Sequence, residues 1–161
     1  MAASRYKGQV RDSGGFVALP WSVMDSPAYM GLSVHARALL FEIARQLRGD
    51  NNGRLLCSRA YMATRGWKSA DMLTKCKAEL LKARLLHETV MGCRPNKASW
   101  YAVTWLGLDQ LDGYDEGAAK TFVRGAYKAA ALPPPKPTRE QLYSKWQTAP
   151  VPPGGTAQAA A

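Results

Sequence analysis

The sequence is short of acid, histidine and paired cysteine, and each shortage removes a class of function. Only 12 Asp and Glu stand against 22 Lys and Arg, a formal charge of +10, which points away from cationic ligands and toward an anionic partner. His35 and His87 stand far apart with no acid and nucleophile beside them, so no catalytic triad forms. They also leave a DNA-cutting tyrosine without histidine metal ligands. Neither the G-x-x-x-x-G-K-[ST] phosphate loop, nor G-x-S-x-G, nor H-E-x-x-H occurs, and the expectation is that the protein is not an enzyme.

The three cysteines, Cys57, Cys76 and Cys93, are odd in number and widely spaced, with no C-x-x-C pair. That excludes a disulfide framework and reads as reduced thiols in a cytoplasmic protein. Zinc takes about four ligands, and these cysteines with His87 match no familiar spacing. No metal or cofactor is expected. No apolar run approaches the roughly 18 residues of a membrane span, and no apolar segment follows the basic start at residues 1–8 to make a signal peptide.

What is present is enough for one domain with tails. Of 161 residues, 47% are hydrophobic, and a core of ordinary size needs only about 100 residues. The charge is concentrated. Residues 53–105 hold 10 Lys and Arg against 3 Asp and Glu, which is seven of the ten net charges. A local excess of this kind suits a polyanion, because each neutralised phosphate releases condensed counterions.

Residues 1–15 read as a flexible arm ending in Ser13, Gly14 and Gly15. Ser26 followed by Pro27 starts a short helix. The spacing of Ala36, Leu39, Leu40, Ile43, Ala44 and Leu47 predicts a core helix over 33–48, stopped by Gly49. Asp50, Asn51, Asn52 and Gly53 make a turn, and 54–57 a small strand. Ser58 caps a short helix over 59–64, Gly66 breaks the chain, and Ser69 caps the next helix, 69–83. In that helix Leu73, Cys76 and Leu80 share one stripe at about 100° per residue, and Asp71, Lys75 and Lys82 the opposite one. One face is core and the other basic. Residues 84–90 and 98–105 turn to strand character, joined by a loop, 91–97, that carries Arg94 and Lys97.

The order helix, short strand, helix, turn, helix, two-stranded hairpin resembles the winged helix-turn-helix class. Asn51, Asn52 and Gly53, the turn residues Arg65 to Ser69, and the last-strand residues Tyr101 to Trp105 are similar to small winged-helix proteins of phages and integrated bacterial elements. Some of these resemble the DNA-binding domains of replication initiators. The resemblance covers about residues 30–106. The expected fold is mainly α with a small β-hairpin, a winged helix-turn-helix domain over 16–106. Such domains often have glycine after the second helix of the motif. Here Arg84 stands there, and a less sharply turned exit is expected.

The resemblance implies a double-stranded DNA-binding regulator of transcription or replication, working in the cytoplasm near the nucleoid. Helix 69–83 would enter the major groove and the hairpin tip would touch backbone. Lys68 and Lys75 would reach phosphates or guanine edges, Asp71 would accept from a cytosine amino group or orient a lysine, and Ser69 would donate to a phosphate. Arg59, Arg65, Lys82, Arg94 and Lys97 would add affinity independent of sequence. A homodimer would match a two-fold operator.

Beyond 106 the composition changes. Residues 107–131 begin with Asp109, Asp112, Asp115 and Glu116, an acidic solvated loop, and continue as an Ala-rich linker or weak helix. Residues 132–161 form a Pro-rich tail, in which a capping box at Thr138 opens a short docking helix with Leu142, Tyr143 and Trp146 facing a partner. That tail carries the alternative reading, a winged-helix adaptor or anti-host factor that binds a protein complex.

Overall fold

The computed structural model describes residues 14–93 and 97–129. The elements run α1 (Trp21–Met24), α2 (Pro27–Met30), α3 (Val34–Ala44), β1 (Leu55–Leu56), α4 (Arg59–Thr64), α5 (Ala70–Lys82), β2 (Leu86–Val90), β3 (Trp100–Val103) and α6 (Ala118–Thr121), closing with a 3-10 turn, Ala126–Ala129. Six helices and one 3-10 turn thus accompany a small antiparallel sheet among the described residues. Four serines start four of the helices. Ser26, Ser33, Ser58 and Ser69 each accept, at 3.2 Å, the amide N–H three residues on, satisfying a donor that the first helical turn leaves without a partner.

The core lies where α3 crosses α5. Ala36, Leu39, Leu40 and Ile43 are buried against Leu73, Cys76 and Leu80. Between the two helices, the Glu79 carboxylate of α5 accepts the Ser33 N–H at the start of α3, at 3.0 Å. The helix expected over 33–48 ends at Ala44. The amides of Gln46 and Leu47 bond three residues back instead of four. Gln46 is drawn off the helical path: its side-chain amide donates to the Leu56 carbonyl and accepts the Leu56 N–H, both at 2.8 Å, while its own carbonyl accepts Asn51 Nδ2 at 2.7 Å.

The strand order is β1-β3-β2, with Leu55 opposite Tyr101 and Leu86 opposite Val103. Past the short β1 the pairing is continued by a side chain. The buried Asn52 accepts the Val103 N–H at 2.8 Å and donates to the carbonyls of Val103 at 3.1 Å and Gly107 at 2.6 Å. Its backbone N–H donates to Asp109 at 2.7 Å, and its carbonyl accepts the Asp109 N–H at 3.0 Å.

Arg84 corrects an expectation. Its φ is 55°, the one positive value at a non-glycine among the described residues, so the exit from α5 is sharply turned without glycine. The N–H of Leu85 bonds the Leu80 carbonyl at 3.1 Å and that of Arg84 the Leu81 carbonyl at 3.0 Å, the paired bonds of a Schellman termination. Leu80 and Leu85 are both fully buried and supply its apolar contact.

Packing also continues beyond residue 106, where the sequence reads as linker. Tyr127 lies in the core cluster. The Gly125 N–H bonds the Thr104 carbonyl at 2.7 Å and the Asp115 N–H that of Thr89 at 3.0 Å. The weak helix is two short pieces, α6 and the 3-10 turn. The tail, with Leu142, Tyr143 and Trp146, and residues 1–13 of the arm lie outside the described residues.

Two outcomes are expected in thermal or denaturant unfolding. Arg84→Gly raises stability by up to about 1 kcal/mol, since the left-handed conformation costs an L-residue roughly 1–2 kcal/mol and glycine gives back roughly 0.5–1 kcal/mol in chain entropy; a lower midpoint refutes the strain. Asn52→Asp, which turns a buried donor into a carboxylate facing two carbonyls, costs about 3 kcal/mol or more, and a loss under about 1 kcal/mol contradicts the pairing role.

Candidate nucleic-acid interface

The connection between α4 and α5 is short because Gly66, at φ 90°, reverses the chain and the Trp67 N–H bonds back to the Met62 carbonyl at 3.0 Å. Trp67 packs half-buried against the core. Lys68 and Ser69 follow, both exposed, and α5 begins. Along α5 the burial follows the helical period: Leu73, Cys76 and Leu80 point inward, whereas Asp71, Lys75, Ala78 and Lys82 are exposed. Asp71 in the first turn and Lys82 in the last also complement the helix dipole, an effect of about 0.3–1 kcal/mol each.

The flanks of α5 differ. On one, Glu79 meets the start of α3. On the other, the half-buried Lys77 lies over the Tyr101 ring of β3, its ammonium 5.7 Å from the ring centre. There the start of α4, the side of α5 and the start of β3 enclose a cavity of about 200 Å³ whose wall includes Arg59, Thr74, Lys77 and Ser99. Sequence reasoning found Arg59 and missed Lys77, Thr74 and Ser99. A sort into buried and opposite stripes passes over a flank.

The charges expected to meet backbone divide into two groups. Arg59, Lys68, Lys75 and Lys82 are exposed and make no ion pair among the described residues. Arg65 and Lys97 have carboxylate partners: Arg65 Nε lies 2.8 Å from Glu42 and Lys97 Nζ 3.0 Å from Asp115. Glu42 sits on α3 and Asp115 in the segment after β3, so neither pairing shows in the local sequence. The hairpin neck is tight. The Gly92 N–H donates to Ser99 Oγ at 2.8 Å, Cys93 and Lys97 exchange two backbone bonds of 2.9 Å, and a Cβ on Gly92 would stand 2.6 Å from the Ser99 nitrogen. Arg94 lies outside the described residues.

Two of the thiols and one of the imidazoles are occupied structurally. Burial pushes the Cys57 thiol up to about 11 and also raises that of Cys76, so both stay protonated at neutral pH. One His87 ring nitrogen lies 2.9 Å from the Ala118 carbonyl and the ring meets Phe122 edge-on. Among the described residues no group of three or more His, Cys, Asp or Glu side chains gathers as a metal site, and no helix is long and apolar enough to cross a membrane. A larger cavity of about 570 Å³, walled by Arg84, His87, Glu88 and Lys128 among others, touches none of the expected contact residues.

No family model, curated protein or solved structure matches the chain.

Asp115 carries a pH dependence. The Met91 N–H first, and Lys97 second, hold its carboxyl below the ordinary value of 3.8. A depressed folded value means that its contribution to stability is full above about pH 3.8 and is lost as pH falls through the lower folded value. In a carboxyl-detected NMR titration the midpoint should lie below 3.8 and rise only part-way in Lys97→Ala, because the amide bond remains. A full return to the ordinary value in that variant assigns the shift to Lys97 alone.

Proposed function

We propose that the chain is a winged helix-turn-helix protein that binds double-stranded DNA, with α5 in the major groove and the β2–β3 hairpin as the wing along the backbone. Its place is a phage or integrated bacterial element, as a regulator of transcription or replication. The observation that carries the reading is the outward side of α5 and its approach: Lys68, Lys75 and Lys82 are exposed with no ion pair among the described residues, in a helix preceded by a capped helix and a Gly66 turn and followed by a hairpin. The sheet order β1-β3-β2 agrees with it. Asp71, beside Lys75 on the exposed side, suits a base edge with an amino group, and Ser69 is already engaged as a cap through its oxygen.

A second reading, a winged-helix adaptor for a protein partner, has one observation of its own. Val34, Ala38 and Phe41 are exposed on successive turns of α3, an apolar row with no cover among the described residues.

A salt series on duplex binding separates the two. Each phosphate contact contributes about 0.9 to the slope of log affinity against log salt. If Lys68 and Lys75 each meet a phosphate, replacing both with alanine lowers the slope by about 1.8 and weakens binding while the circular dichroism spectrum stays unchanged. Unaltered affinity and slope reject α5 as the reading element and favour the adaptor.

A further inference from the structure

Between α5 and β3, cations from two separate elements wall a cleft that has no Asp or Glu in its lining. Arg59 comes from the start of α4 and Lys77 from the middle of α5, and Cys57, Thr74, Ser99 and Tyr101 are among the other walls. By contrast the larger cavity mixes Arg84 and Lys128 with Glu88. The small cleft therefore presents two positive charges to whatever enters it.

No Asp or Glu is among its walls, and the Glu88 carboxylate, outside the lining, meets the floor through the Tyr101 hydroxyl. Burial holds the Tyr101 phenol well above its usual range, and its hydroxyl donates to Glu88 at 3.0 Å. Cys57 stays a neutral thiol. The Thr74 hydroxyl donates to the Ala70 carbonyl at 2.9 Å and serves as wall. Lys77 rests on the Tyr101 ring, a cation–π contact that limits the arc of its ammonium and leaves its N–H donors available. At roughly 30 Å³ per water in the liquid, a space of about 200 Å³ holds a phosphate group with water to spare.

We infer that this cleft seats a backbone phosphodiester of the bound duplex, held between Arg59 and Lys77 on the flank of α5 that faces the hairpin. The inference rests on the DNA-binding reading and deepens it. The outward lysines alone leave α5 free to roll about its axis in a groove. A phosphate gripped on the flank fixes that roll and the register of Asp71 and Lys75 against the bases. The grip carries no sequence information of its own, since every step of the duplex offers the same phosphate.

The test uses the full chain with Arg59→Gln, Lys77→Met and the double variant. Methionine keeps the apolar stem on Tyr101 and removes only the charge. Each single variant is expected to lower the salt slope by about 0.9, and the double by about 1.8, with equal proportional loss on the preferred duplex and on unrelated duplexes. Unchanged slopes in these variants, while Lys68→Ala with Lys75→Ala still lowers the slope, overturn the cleft and leave the DNA reading standing. Loss confined to the preferred sequence also overturns it, because that is base reading. A wild-type chain that binds no duplex at low salt overturns both. Inorganic phosphate at matched ionic strength should displace duplex no better than chloride does. A saturable phosphate effect abolished by Lys77→Met assigns the cleft to a free anion instead.

Discussion

The structure depends on two side-chain amides that stand in for missing strand. β1 is two residues long, too short to hold the edge of a sheet by its own ladder. Asn52 supplies the next pairing position on β3 by exchanging both a donor and an acceptor with Val103, and Gln46 does the same for Leu56 on the open edge of β1. Each is a two-point contact that an ionised carboxylate, which has no donor, cannot imitate. Asn52 further ties in Gly107 and Asp109, so the turn before β1, the middle strand and the segment after β3 form one unit. The wall of the basic cleft at Ser99 and Tyr101 belongs to that strand.

The distribution of carboxylates decides where the positive charge remains usable. Glu42 holds Arg65, Glu79 holds the start of α3, Asp109 holds Asn52, and Asp115 holds Met91 and Lys97. Each of these acids sits at a joint between elements. Their exposed ion pairs contribute only about 0–1 kcal/mol of stability. Their larger effect is to balance cations at the turn and the hairpin while Lys68, Lys75, Lys82, Arg59 and Lys77 keep their charge. The basic surface is thus defined by which lysines lack an acid as much as by where lysines occur.

What could be read from the sequence follows the range of the interaction. The caps at Ser26, Ser58 and Ser69 and the inward stripe of α5 are local, decided within one turn, and the residues alone placed them. The end of α3 was misread because Gln46 answers to Leu56 ten residues away. The acidic residues after 106 read as a solvated loop because the partners of Asp109 and Asp115 belong to distant parts of the chain. Lys97 and Arg65 looked free for the same reason. Arg94, Leu142, Tyr143 and Trp146 fall outside the described residues, so the structure bears on none of them.

Arg84 was misjudged for a different reason: residue type was taken to decide conformation. The turn after α5 is enforced from outside Arg84 itself, by Leu85 locked onto Leu80 and by the Thr104 hydroxyl, which donates to the Arg84 carbonyl at 2.8 Å. These contacts outweigh a conformational cost of roughly 1–2 kcal/mol. They also join the end of α5 to both hairpin strands with no free residue between. The Thr104 N–H bonds Leu85, and Leu86 pairs with Val103 immediately after. The end of α5 is thereby tied directly to the hairpin whose Ser99 and Tyr101 wall the cleft opposite Lys77. A flexible exit would let the two walls part, and a phosphate held between Arg59 and Lys77 would then no longer fix how α5 lies against the bases.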